Sequence, residues 1–189
     1  MRVIAGEARG MRLKAPDGIT TRPTADRVKE ALFSILQSAN KIKGCRVLDL
    51  FSGSGALGIE AISRGAEFVF FIEKSPLAIN ALKQNLSHTR CIDKSEILAM
   101  DVNKALKFLY GKKELFDLIL MDPPYNYDFY LNVIEIAGTR LLKSDGLLVA
   151  ETSVKKTLPE KIGTSTHSAR RIYGDTALEF YSMEQNYAP

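Results

Sequence analysis

Cys45-Arg-Val-Leu-Asp-Leu-Phe-Ser-Gly-Ser-Gly-Ala-Leu-Gly58 decides the fold of this chain. It opens as an apolar run, breaks at its glycines, and passes into residues 56–64, which carry apolar side chains at helical spacing. A strand that turns through glycines straight into a helix is the first half of a βα unit, and the alternation repeats downstream. Residues 67–72 read as a strand ending at Glu73. Ser75 and Pro76 then supply an N-cap and a first-turn proline for a helix with Ile79, Leu82 and Leu86 on its core face. Residues 95–100 read as a strand ending at Asp101, 102–110 as a helix, 115–121 as a strand, 128–142 as a helix capped by Asp128, and 147–150 as a fifth strand. Strands alternating with helices predict a parallel sheet. The tail differs, because two extended segments, 165–173 and 177–183, flank Gly174-Asp175 and read as an antiparallel hairpin. The expectation is an α/β fold: a mostly parallel, seven-stranded sheet with helices on both faces, closed by a C-terminal hairpin. No internal repeat or low-complexity segment interrupts it.

Ligands of open α/β sheets bind outside the carboxyl ends of the strands. Asp49, Glu73, Asp101 and Asp122 fall at four successive predicted strand ends and form one acidic rim there, although each alone would pass for a solvated helix cap. Gly53-Ser-Gly55-Ala-Leu-Gly58 matches G-x-G-x-x-G, with Glu73 about twenty residues on, a spacing usually read as dinucleotide binding. The glycines admit a ligand to the backbone without naming it, and a tight βα turn would need them too. Asp49 helps to decide: its carboxylate would repel a pyrophosphate but attract an ammonium or sulfonium. S-adenosylmethionine carries both cations and no phosphate. Glu73 would then accept from the ribose hydroxyls, and the Asp101 carboxylate with the backbone after it would read the adenine edge.

Asp122-Pro-Pro-Tyr125 ends the apolar run 118–121. Consecutive prolines cannot continue a sheet ladder, so the tetrapeptide leaves the sheet in extended form. It presents a carboxylate, a proline carbonyl and an aromatic face. Two acceptors beside a stacking ring suit a planar base with an exocyclic amine, a stack worth roughly 1–3 kcal/mol. An N-capping Asp before a Pro-Pro turn would explain the tetrapeptide alone, but not the acidic rim beside it.

At 189 residues, 46% of them hydrophobic, the chain is long enough for one domain with a substantial core. The net charge of +4 is uneven, with residues 1–46 at +6 and the remainder at −2. A basic amino-terminal surface beside an acidic half fits phosphate binding next to a cofactor site. Residues 1–20 alternate around Gly6, Gly10 and Gly18, predicting a small hairpin appended to the sheet, and Thr24 caps a following helix with a Val28, Leu32, Phe33, Leu36 stripe. Cys45 and Cys91, with His88 and His167, lack metal-ligand spacing, so no metal is expected. The sequence shows no secretory leader and no apolar run near 18 residues, predicting a cytoplasmic protein without membrane association.

With Asp122-Pro-Pro-Tyr125, the loop Asp49–Gly58 resembles the class I S-adenosylmethionine-dependent amino-methyltransferases, whose sheet is Rossmann-like. More narrowly, Arg2-Val-Ile-Ala-Gly6, Arg9-Gly10, Leu13, Pro16, Gly18, Arg22-Pro-Thr24, Asp26-Arg27-Val28, Glu30 and Leu32-Phe33 are similar to the RsmD family, bacterial methyltransferases of guanine N2 in 16S ribosomal RNA. The resemblance covers essentially the whole chain; Ser52 replaces an alanine common among relatives. It implies a 16S rRNA substrate within an assembling or assembled small subunit, with no obligate protein partner. It implies a cofactor site of Asp49, Phe51, Ser52, Gly53, Ser54 and Gly55, with Gly58, Glu73, Lys74, Asp101, Val102 and Asp122. Asp122, Pro123 and Tyr125 would be catalytic, and Arg9, Arg12, Arg22, Arg27, Pro124 and Tyr125 would meet RNA. Residues 1–40 would form the RNA-contacting extension and 41–189 the catalytic core. An adenine-N6 methyltransferase of DNA or RNA could carry the same motifs and stands as the alternative. An NAD-dependent oxidoreductase would share only the glycine loop. A non-catalytic RNA-binding module would leave the acidic rim unexplained.

Overall fold

The structure, a computed structural model, describes residues 1–15, 23–123 and 130–183, the side chains of 23–25 excepted. Five parallel strands form as expected: β1 Arg46–Leu50, β2 Phe68–Glu73, β3 Ser95–Ala99, β4 Phe116–Met121 and β5 Leu142–Ser153. The tail hairpin is β7 Ser165–Tyr173 with β8 Thr176–Met183, and β8 runs antiparallel to β5. A two-residue strand, β6 Lys161–Ile162, adds an eighth member at the edge, giving the order β3-β2-β1-β4-β5-β8-β7-β6. It escapes sequence reading because two residues carry no period.

Helices α1 Pro23–Ser38, α2 Ala56–Ser63, α3 Pro76–His88, α4 Val102–Gly111 and α5 Tyr130–Arg140 cover both faces. Alternating residues of each strand separate the two cores. Val47, Val69, Phe71, Leu118 and Leu120 pack with α1, α2 and α3. Leu48, Leu50, Phe70, Ile72, Ile119 and Met121 pack with α4 and α5. Ser75 caps α3 as expected, its hydroxyl accepting the Ala78 N–H at 3.5 Å. Leu82 and Leu86 are buried, whereas Ile79 is only half-buried. The Thr24 side chain and Asp128 lie outside the described residues.

The amino-terminal hairpin closes through one antiparallel bridge, Arg2 to Arg12, with Val3 donating to the Met11 carbonyl and Gly10 to the Val3 carbonyl. It does not extend the sheet, contrary to expectation; it docks on helices. Ile4 and Ala5 N–H groups donate to the two Glu60 oxygens at 2.7 and 3.0 Å, and Ala8 N–H donates to Ser63 Oγ at 3.0 Å. Gly6 makes this approach possible: it holds φ +84°, and a Cβ there would lie 1.7 Å from the Ser63 carbonyl oxygen. Val3, Ala8 and Leu13 thereby join the same core as α1 and β1.

Candidate active site

A cavity of about 570 Å³ opens at the carboxyl ends of β1, β2 and β4. It brings together most of the expected cofactor residues: Asp49, Phe51, Ser52, Gly53, Ser54, Glu73, Lys74, Asp101, Val102 and Asp122, with Pro123 beside them. Gly55 and Gly58 stand outside it. Gly58 serves packing instead, because a Cβ there would meet the Phe71 ring at 2.3 Å, so its absence lets α2 press on β2.

Three of the four rim carboxylates, Asp49, Glu73 and Asp101, also have a structural task. Asp49 is 1% exposed, and its Oδ2 accepts the Gly58 N–H at 2.9 Å, tying β1 to α2. Burial, partly offset by that bond and reinforced by Asp122 and Glu73, pushes its carboxyl up to about 8. Glu73 Oε2 accepts the Gly53 N–H at 2.8 Å, while Oε1 accepts from Lys74 and Ser75, each at 2.8 Å. One carboxylate therefore fastens the glycine loop to the start of α3. Asp101 caps α4 by accepting the Asn103 N–H at 3.0 Å, and its other oxygen lies 3.6 Å from Lys74 Nζ. Ser52 Oγ donates to the Asp49 carbonyl at 2.7 Å, and Phe51 is held at a left-handed φ of 61°. Such a conformation in a non-glycine residue persists only where its surroundings enforce it.

Asp122 follows the last residue of β4, Met121, and lines the cavity. Sequence reasoning missed its neighbour Glu151. Met121 pairs with Ala150, so Asp122, the first residue after β4, comes beside Glu151, which continues within β5. Protein packed around Asp122 pushes its carboxyl upward, an effect tempered by its access to solvent through the cavity. Burial first, and the Asp122 charge second, push Glu151 upward as well. Two carboxyls so placed resist ionising together. The signal was a Glu closing the apolar run 147–150, the same signature as the other rim residues.

Also unforeseen are Met1, Leu57, Leu77 and Met100, which give the cavity its apolar walls. Leu77 is 61% exposed. Arg9, Arg12 and Arg27 are exposed on the amino-terminal extension. Arg22, Pro124 and Tyr125 lie outside the described residues. Among the described residues no group of three or more His, Cys, Asp or Glu is placed to hold a metal. None of their helices is long and apolar enough to cross a membrane.

The family model described as conserved hypothetical protein 95, that of the RsmD family, matches residues 1–182. The chain belongs to the RsmD family. It is 37% identical over 161 residues to ribosomal RNA small subunit methyltransferase D of Haemophilus influenzae, covering 84% of this chain and 81% of that one. It is 33% identical over 188 residues to the Escherichia coli K12 protein of the same name, covering 97% and 90%. A hypothetical protein of Thermus thermophilus, TTHA0928, superposes with a TM-score of 0.83 at 31% identity, covering 97% of this chain and 99% of that one. The fold is the Rossmann-like methyltransferase fold of this family, and this chain's cavity lies at the rim of β1, β2 and β4.

Proposed function

We propose that this chain transfers a methyl group from S-adenosylmethionine to the exocyclic N2 of a guanine in small-subunit ribosomal RNA. The observation that carries the reading is that the glycine loop, Glu73, Asp101 and Asp122-Pro123 all open on one cavity. Its volume lies within the roughly 300–1,000 Å³ usual for small-molecule sites. The named activity of the Haemophilus influenzae and Escherichia coli relatives supports the choice of a small-subunit RNA substrate.

The donor set fits the cofactor. Leu77, Met100 and Val102, which line the cavity, would offer apolar surface to a purine, Asp101 with the α4 amino terminus would read its edge, and Glu73 would accept from the ribose hydroxyls. Asp49 is the buried acid that a cationic amino-acid moiety would ionise. The bound cofactor supplies an electrophilic methyl on a positively charged sulfur. The protein's part is to make a poor nucleophile attack it. Guanine's exocyclic lone pair is delocalised into the ring, and hydrogen bonds from its N–H groups to Asp122 and the Pro123 carbonyl turn that lone pair toward the methyl carbon. The Asp122 carboxylate also stabilises positive charge growing on nitrogen, help that is strongest in the transition state, and the methylated nitrogen then gives up its proton to Asp122 or to water. A paired base must be extruded to present this edge. Residues 1–40 act as the RNA-contacting extension, with Arg9, Arg12, Arg22 and Arg27 on phosphates, and residues 41–189 as the catalytic core in a cytoplasmic enzyme. Pro124 and Tyr125 complete the base-binding face.

The test supplies labelled cofactor with unmethylated small subunits, protein-free ribosomal RNA or DNA, and digests the products to nucleosides. Label in N2-methylguanine from small-subunit RNA is the expected result. Label mainly in N6-methyladenine overturns the target assignment, and no label in any substrate overturns the activity.

A further inference from the structure

A second cleft, of about 820 Å³, runs beside the cofactor cavity. Arg12, Leu13 and Lys14 of the amino-terminal hairpin form one wall, and Lys83, Gln84 and His88 of α3 form the other. Arg12, Lys14, Lys83 and His88 are exposed, and among the described residues none that lines this cleft is acidic. The cleft on the hairpin's other side differs: it is smaller, about 250 Å³, and Glu30 stands among Arg2 and Arg9 there. Among the described residues neither Arg12 nor Lys83 is paired with a carboxylate.

The floor of the larger cleft is fixed by Asn85, which is 1% exposed. Its Oδ1 accepts the Lys14 N–H at 2.8 Å, and its Nδ2 donates to the Lys14 carbonyl and to the Ser54 carbonyl, each at 2.9 Å. Ser54 lines the cofactor cavity. A second link runs from the Leu13 N–H to the carbonyl of Met1, which also lines that cavity. The two hollows thus share a wall spanned by hydrogen bonds. Along α3, Ala78 faces the cavity and Lys83 the cleft, a separation of about 7.5 Å at 1.5 Å per residue.

We propose that this cleft holds backbone phosphates of the RNA strand whose target base enters the cofactor cavity. The inference rests on the reading of the chain as an RNA methyltransferase and names where that RNA is gripped. Uncompensated cations on two facing walls attract a polyanion. Lys14 Nζ donates to Gln84 Oε1 at 2.7 Å, leaving two of its three protons for phosphate oxygens. Gln84 and Ser87 add uncharged groups suited to sugar hydroxyls. Asn85 fixes the backbone at Lys14 before RNA arrives, so the ordering that binding requires falls on the exposed Arg and Lys side chains. The same bonds hold the gripped phosphates at a constant distance from the methyl donor.

Arg12→Ala/Lys83→Ala and Lys83→Glu test this. Both positions are exposed, so the variants keep the core intact, and a thermal melt matching wild type establishes that. The readouts are the KM for small-subunit RNA as a function of salt, and cofactor affinity by calorimetry. Each phosphate contact carries a log–log slope of about 0.7, so removing two flattens the slope by about 1.4 and weakens RNA affinity roughly 25-fold at 0.1 M salt. Cofactor affinity stays at the wild-type value. Wild-type methylation of RNA with an unchanged salt slope in both variants overturns the cleft and leaves the activity standing, as does tight capture of an acidic protein by wild type but not the variants alongside that unchanged slope. A wild-type protein that methylates no RNA overturns the cleft together with the proposed function.

Discussion

Glu60→Gln should cost this protein a large share of its stability and release its amino-terminal hairpin. Glu60 is 0% exposed, yet its carboxylate accepts from Ile4 N–H, Ala5 N–H and Arg64 Nε–H at 2.7, 3.0 and 2.8 Å, and Lys29 Nζ lies 3.6 Å away. Glutamine keeps the volume but puts an amide NH₂ where one oxygen stood. A donor then faces either the Ile4 or the Ala5 donor, and Lys29, itself 4% exposed, loses its buried counter-ion. Breaking one partner of a buried pair typically costs about 3–5 kcal/mol. The lost charged hydrogen bonds belong to the same side chain, so their roughly 1.5–3 kcal/mol each is not added on top. The expected loss is about 3–5 kcal/mol by urea denaturation, against roughly 5–15 kcal/mol for a typical domain. The pH dependence gives a second handle. Burial already lowers the Lys29 pKa against the pull of Glu60, and removing Glu60 lowers it further. Between the folded and unfolded values the unfolded chain binds more protons, so stability rises with pH across that window. The variant's deficit should therefore be larger near neutrality and shrink as pH climbs toward 10.5, the ordinary lysine value. Amide exchange at Ile4 and Ala5 should accelerate. A loss below about 1 kcal/mol, with unchanged exchange at those two amides, would refute the claim that Glu60 anchors the hairpin.

Asp49, raised to about 8 by burial, must lose a proton to meet a cation. Cofactor affinity should then rise with pH up to about 8, with proton release seen in buffers of different ionisation enthalpy, and Asp49→Asn should abolish that dependence; a flat wild-type profile contradicts the assignment. Asp122→Ala should slow single-turnover methyl transfer by ~10²–10³, by analogy with loss of an oxyanion donor, while cofactor affinity shifts only a few fold. A near-normal rate removes Asp122 from the chemistry. Glu73→Ala severs the three backbone bonds of the loop as well as the ribose contact, so cofactor binding should weaken by about 1.5–3 kcal/mol, with faster exchange at Gly53. Unchanged calorimetry would place the ligand elsewhere.

What the sequence reveals and what it hides divide along sequence distance. The five parallel strands, the α3 cap at Ser75 and the tail hairpin are written in local periods and turn residues, and they appear where expected. Strand β6 does not, being too short for any period. The hairpin's docking was misplaced because its partners, Glu60 and Ser63, lie more than fifty residues away inside a segment that reads only as helix. The acidic rim was legible as a set, since strand ends in α/β sheets converge. Asp101 fills the helix-cap role that its place before α4 allowed, but the tasks of Glu73, gripping Gly53, and Asp49, bonding Gly58, were not legible, because they depend on side-chain geometry between a strand end and the glycine turn. Asn85 of α3 joins the hairpin and the glycine loop through bonds to residues 71 and 31 positions away, which no local pattern reveals.

The central claim is the target, and mass mapping of modified nucleosides in small-subunit ribosomal RNA tests it most directly. RNA from cells lacking the gene is compared with RNA from the same cells carrying the wild-type chain or Asp122→Ala. One N2-methylguanine should vanish with the gene, return with the wild-type chain and stay absent with Asp122→Ala. An N2-methylguanine map identical in all three strains contradicts the account.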